Sequence, residues 1–273
     1  MDRIDGSSLE GVSATSLWAL HNRAVEANRP DAVIADELAT QLAERIRYDY
    51  SKFGKSNQAF ALRALLYDRV TTAYLRSHPR ASVVALAEGL QTSFWRLDAA
   101  GVCDDVTWYS IDLPPVIAVR RQLLPRDPRV VELPQSALDR SWMDRVDASN
   151  GVIITAEGLF MYFEPEDVMS LIADCAKRFP GGQMLFDSIP HWLSRRTLRG
   201  VDLSDRYESP RMPFGFSADE GVSLGRQITG IKAAHDIRMP RGRGRYRFEY
   251  LPMLDRIPRY RRIRPSTTLL EFA

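Results

Sequence analysis

Four residues combine reactive side chains with spacings at which they could act together. The run "VVALAEGLQTSFWRLD" (83–98) passes from an apolar strand through Ala87, Glu88 and Gly89 into an amphipathic helix. A small-residue turn at that junction lets backbone N–H groups approach a ligand. About two dozen residues later "WYSIDLPP" ends a second strand in Asp112, a position from which a carboxylate can accept both hydroxyls of a ribose. Farther on, "ITAEGLFMYFEPEDV" puts Glu157 and Gly158 at a strand end with Tyr162 one short turn away. This pattern describes a nucleoside-bearing ligand and leaves a nicotinamide enzyme and a methyltransferase both open. Glu88 itself favours a cationic ligand, because an acid in the turn would repel a diphosphate.

These residues need a sheet to hold them. From position 82 onward, short β-branched runs alternate with helical patterns, the signature of an α/β fold with a mostly parallel sheet. Strands are expected at 82–87, 106–111, 129–133, 151–156, 182–187, 230–238 and 267–272, with helices at 92–100, 115–124, 141–146, 165–179 and 218–228. Upstream, 31–46 shows one apolar helical face with Asp31 as its cap, and 58–76 follows a polar turn. The whole chain, 1–273, reads as one domain: an N-terminal helical cap (1–78), a core sheet (79–189 and 217–273) and an inserted lid (190–216) over the strand ends. Segments 1–30 and 190–216, with Trp18, Trp192, Phe214 and Phe216, are expected to shape an aromatic or apolar acceptor pocket.

The totals fit a cytoplasmic globular protein: 273 residues, 45% hydrophobic, 26% charged, formal net charge +2. No apolar run reaches the roughly 18 residues of a membrane span, and the first residues lack a signal-peptide core. Cys103 and Cys175 have no metal-ligand or CxxC spacing and read as buried thiols. No metal site is indicated. Ten arginines fall in 238–265; apolar Tyr246, Phe248, Tyr250, Leu251, Met253 and Leu254 interrupt them at spacings that suit a packed helix. A solvated rim is therefore preferred over a nucleic-acid surface.

Four blocks in order, "VVALAEGLQTSFWRLD", "DLPPVIAVRRQLLP", "AEGLFMYFEPEDV" and "FPGGQMLFD", resemble the leucine carboxyl methyltransferase family, in its bacterial branch of polyketide-type O-methyltransferases. The resemblance covers about residues 50–190. It implies a Rossmann-like, seven-stranded methyltransferase fold with an antiparallel last strand, and S-adenosylmethionine as cofactor. It further implies that Arg63 pairs with the methionine carboxylate, that Ala87, Glu88 and Gly89 border the methionine portion, and that Asp112, beside Leu113, takes the ribose. Ser136, Ala137 and Leu138 would lie by the adenine, and Glu157, with Gly158, by the methionine ammonium. Ala87 stands where the family usually has glycine and is tolerable there with a negative φ. Ser136 replaces a common aspartate, though its hydroxyl can still accept a hydrogen bond.

The expected activity is S-adenosylmethionine-dependent methyl transfer to a carboxylate or hydroxyl oxygen of a small molecule, with Tyr162 best placed to touch substrate. Glu157, His191 and His235 are further base candidates, while His21 and His78 read as peripheral. No nucleic-acid or membrane partner is expected. The alternatives are a non-catalytic S-adenosylmethionine-binding protein, a nucleic-acid methyltransferase lacking its usual loop after strand four, and a nicotinamide oxidoreductase lacking GxGxxG.

Overall fold

The computed structural model describes residues 3–200, 202–204, 206–247 and 253–273. The N-terminal part holds β1 (Ile4–Asp5), α1 (Thr15–Ala27), α2 (Glu37–Arg45), β2 (Ile46–Arg47) and α3 (Ala59–Ser77). Then follow β3 (Ser82–Leu86), α4 (Ser93–Ala99), β4 (Thr107–Asp112), α5 (Pro114–Leu123), β5 (Val130–Pro134), β6 (Val152–Ala156), α6 (Pro165–Arg178) and β7 (Gln183–Ser188). Between β7 and the next helix lie α7 (His191–Thr197), β8 (Asp202–Ser204) and β9 (Tyr207–Glu208). The chain closes with α8 (Ala218–Gln227), β10 (Ile231–Asp236), α9 (Pro258–Ile263) and β11 (Ser266–Phe272).

The main sheet has the order β10-β11-β7-β6-β3-β4-β5. β3 pairs in parallel with both β4 and β6, while β11 runs antiparallel to β7 and β10. All seven anticipated strands form, and the last is the antiparallel one. Residues of β3 alternate between two cores: Val84 and Leu86 pack with Ile154 and Phe186, Val83 and Ala85 with Phe94 and Trp108. A strand buried on both faces loses the apolar–polar alternation of a surface strand, so continuous runs such as "SVVAL" announce it. Because β3 lies between β4 and β6, the chain leaves its edge in opposite directions on its two sides, and a crevice opens at the carboxyl ends.

The helices depart from expectation in several places. α1 was not anticipated: it has no side-chain N-cap and buries Asn22, Arg23 and Glu26, which breaks the apolar periodicity that would have revealed it. The helix expected over 31–46 begins only at Glu37, because Asp36, not Asp31, accepts the Ala39 N–H as cap. The segment expected at 141–146 is a 3-10 run, Arg140–Arg145. In the arginine-rich stretch Gly244–Arg247 is 3-10 and α9 starts at Pro258; Phe248, Tyr250 and Leu251 of the anticipated packed helix lie outside the described residues. Among the described residues no helix is long and apolar enough to cross a membrane. Cys103 and Cys175 are free and buried.

Candidate active site

A cavity of about 500 Å³ opens over the carboxyl ends of the strands. Its wall includes Arg63, Ala87, Glu88, Gly89, Asp112, Leu113, Ser136, Ala137, Glu157, Gly158 and Tyr162, contributed by five separate segments. Leu138 is not on the wall: its side chain packs against the central core. α1 supplies Thr15, Ser16, Trp18 and Arg23 to the opposite side.

The turn after β3 is held tightly. Gly89 N–H donates to Asp112 Oδ2 at 2.6 Å and Leu113 N–H to Asp112 Oδ1 at 2.7 Å. Gly89 has φ +59°, and a Cβ there would stand 3.1 Å from Ser16 Cβ of α1. Ala87, contrary to the negative φ anticipated, sits at φ +47°, the only non-glycine with positive φ among the described residues. The turn is thus strained at the position where an added methyl is least welcome. Burial raises the Asp112 pKa, against the lowering effect of its two N–H partners.

Glu88 also differs from expectation. Its carboxylate does not serve as an open counter-charge: Arg120 Nη2 lies 2.7 Å from Oε2, and Trp108 Nε1 donates to Oε1 at 3.0 Å. Burial pushes its pKa up and the Arg120 guanidinium opposes this. The reasoning that Glu88 selects a cation fails because the ion pair already neutralises it.

Arg63, on α3, lies between two carboxylates. Its Nε donates to Glu157 Oε1 at 3.0 Å and its Nη1 to Asp187 Oδ2 at 3.3 Å. Burial alone would lower its pKa; Asp187 and Glu157 outweigh that and raise it. Gln91 Nε2 also donates to Glu157 Oε1, at 2.8 Å. Asp187, at the end of β7, accepts the Tyr67 hydroxyl at 2.9 Å as well. Gly158, at φ +65°, must lack a side chain, since a Cβ would meet Arg63 Nη2 at 3.0 Å.

Asp187, Gln91 and Arg23 line the cavity and Arg120 braces its turn; none of the four was assigned a role from sequence. Asp187 and Arg120 do lie inside the "FPGGQMLFD" and "DLPPVIAVRR" blocks, a signal that could have drawn attention to them. Ser136 Oγ accepts the Leu138 N–H at 3.1 Å, which leaves its hydroxyl proton available.

The outer chamber differs from the anticipated aromatic pocket. Met161, Ile189 and Met212 cluster there with Tyr162 and Leu193, and Arg238, Tyr260 and Arg264 complete the wall. Of the four aromatic residues expected, Trp18 alone lines it. Trp192 is exposed and donates to Ile263 O at 2.9 Å, whereas Phe214 and Phe216 stack on each other within the core. His21, His78, His191 and His235 are absent from the wall; His191 and His235 are surface partners of Glu220 and Glu271.

A seven-stranded sheet in this order, with its ligand cavity at the reversal beside β3 and β6, defines the Rossmann-like methyltransferase class. The leucine carboxyl methyltransferase family model matches residues 16–176. The tetracenomycin polyketide synthesis O-methyltransferase TcmP of Streptomyces glaucescens is 30% identical over 227 residues, 82% of each chain. The S-adenosyl-L-methionine-dependent methyltransferase dpfgK of Gibberella zeae is 28% identical over 66% of this chain and 67% of its own. A crystal structure of a candidate methyltransferase from Thermobifida fusca YX shares the fold with a TM-score of 0.56 at 16% identity, covering 98% of this chain and 96% of that one. The chain belongs to the leucine carboxyl methyltransferase family and is an S-adenosylmethionine-dependent methyltransferase.

Proposed function

We propose that this enzyme methylates an oxygen of a small apolar molecule, and that the oxygen arrives already ionised, as a carboxylate or acidic phenol. The observation that carries this reading is that, among the described residues, every carboxylate on the cavity wall already has hydrogen-bond or ion-pair partners. Glu88 is paired with Arg120, Asp112 with two N–H groups, Glu157 with Arg63 and Gln91, and Asp187 with Arg63, Tyr67 and Gly158. With no histidine on the wall either, the described wall residues offer no unpaired base for general-base catalysis. Burial raises the Tyr162 pKa, opposed by a hydrogen bond with Thr15, so the phenol stays protonated at neutral pH and orients the acceptor by hydrogen bonding.

The donor set fits S-adenosylmethionine. Arg63 lines the cavity, and its Nη2 has no protein partner among the described residues, so it can take a carboxylate in addition to its two acids. Beyond their present N–H partners, the Asp112 oxygens would accept the ribose hydroxyls through remaining lone pairs, Ser136 with Ala137 would border the adenine, and Glu157 would provide negative charge for the ammonium. When bound, the cofactor supplies an electrophilic methyl group on a sulfonium. The remaining work is alignment and exclusion of water, to which Met161, Met212, Ile189 and Leu193 contribute by shielding the outer chamber from solvent.

TcmP, an O-methyltransferase of polyketide synthesis by its name, supports the oxygen acceptor and a polyketide-like class. The test is turnover with a panel of aromatic carboxylic acids and phenols, reading S-adenosylhomocysteine and the methylated product by mass spectrometry. A methyl ester or ether is expected. Methylation on carbon or nitrogen alone would overturn the reading, and cofactor binding without turnover across the panel and a metabolite extract would favour a non-catalytic binder.

A further inference from the structure

The turn between β3 and α4 contains one glycine and a strained alanine, yet it has to present a defined surface to the cofactor. Its consecutive carbonyls explain how it can. Arg120 Nη1 donates to Gly89 O at 2.8 Å and to Gln91 O at 3.1 Å. Arg23 Nη2 donates to the carbonyl between them, Leu90 O, at 2.7 Å. Three successive carbonyls are therefore held by two guanidinium groups, from α5 on one side and α1 on the other. Both arginines are buried, at 0% and 1% exposure.

Each arginine is itself anchored. Arg120 is ion-paired with Glu88 of the same turn. Arg23 Nε donates to Asp36 Oδ2 at 3.1 Å, and Asp36 also takes Arg96 Nη1 at 2.8 Å and Thr92 Oγ1 at 2.6 Å. Arg96 reaches on to Asp68 of α3 with two bonds, at 2.7 and 2.9 Å. A guanidinium holds several acceptors in a fixed plane, which an ammonium on a flexible stem does not. Nothing in the proposed reaction uses these residues as contacts to substrate.

We infer that Arg120 and Arg23 are positioning residues: their guanidinium clamp on the Gly89, Leu90 and Gln91 carbonyls holds the cofactor turn in a conformation that Ala87 by itself disfavours. The clamp replaces backbone freedom that glycines supply elsewhere. It also ties the N-terminal cap to the cofactor turn, since Arg23 and Asp36 belong to the cap. This rests on the reading that the 87–91 turn borders S-adenosylmethionine.

The test is a double-mutant comparison between positions 87 and 120, with calorimetric Kd for S-adenosylmethionine and the KM and kcat for a turned-over acceptor as readouts. Wild-type binding of the cofactor is the control; its absence would defeat the reading of the turn, not the clamp. Arg120→Lys should raise the cofactor Kd by about ten-fold, the scale of one charge-assisted hydrogen bond, while acceptor KM stays within about two-fold. Adding Ala87→Gly to Arg120→Lys should recover at least about three-fold of that loss. A merely structural role for Arg120 would lower thermal stability without this recovery. Equal Kd values for wild type and Arg120→Lys, or additive effects in the double variant, overturn the inference. If Arg120→Lys does not fold, Arg23→Lys carries the same comparison through Leu90 O.

Discussion

The backbone N–H of Gly158 donates to Asp187 Oδ1 at 2.6 Å, fastening the turn after β6 to the end of β7. The same carboxylate holds Tyr67 and Arg63 of α3. One side chain thus joins two strand ends and a helix, and sets where the Arg63 guanidinium stands relative to Glu157.

Asp187→Asn keeps an acceptor for Gly158 but removes the charge opposite Arg63. A hydrogen bond to a charged group contributes about 1.5–3 kcal/mol, so denaturant unfolding should report a loss on that scale. The KM for S-adenosylmethionine should rise about ten-fold with the acceptor KM little changed.

Ala87→Gly removes left-handed strain from the turn after β3. Against a left-handed penalty of about 1–2 kcal/mol for a non-glycine residue stands the greater backbone entropy glycine loses on folding, about 0.5–1 kcal/mol. The net expectation is a gain of about 0.5–1 kcal/mol in unfolding free energy, read as a higher Tm; a lower Tm would contradict the strain.

The pH dependence of cofactor binding should report Asp112. Burial places its pKa above the ordinary value of 3.8, and in the proposed binding mode it is the carboxylate form that would accept the ribose hydroxyls. Affinity is therefore present above the raised pKa and lost as pH falls through it, at a higher pH than an exposed aspartate would show. For folding the sign is opposite: the native state favours the proton, so ionising Asp112 costs stability as pH rises. Calorimetric titration of S-adenosylmethionine across the acid range should show this fall, and Asp112→Asn should flatten it.

Phe214→Ala and Trp192→Ala should separate cleanly. Phe214 is buried and stacked on Phe216, so its truncation should cost about 3–5 kcal/mol of stability. Trp192 is 45% exposed with one hydrogen bond to Ile263 O, and its loss should cost about 1 kcal/mol or less. Neither should move acceptor KM as strongly as Met212→Ala, because Met212 lines the cavity.

Local patterning determined the sheet and the cavity's rim. Apolar runs such as "SVVAL" and "VIITA" report burial on both faces, and the turn residues that end them mark the carboxyl edge, so Gly89, Asp112 and Glu157 were legible as neighbours. Helices carried by tertiary contacts were not: α1 hides behind buried Asn22, Arg23 and Glu26. The tertiary structure alone decided which charges meet. Arg63 finds Asp187 across 124 positions, and Arg120 meets the Glu88 carboxylate while also reaching the Gly89 carbonyl 31 positions away. Glu88, read as open to a ligand, turned out to be paired below the turn. Burial, not sequence spacing, selects such partners, because a charge withdrawn from water must take whichever opposite group the packing brings within reach.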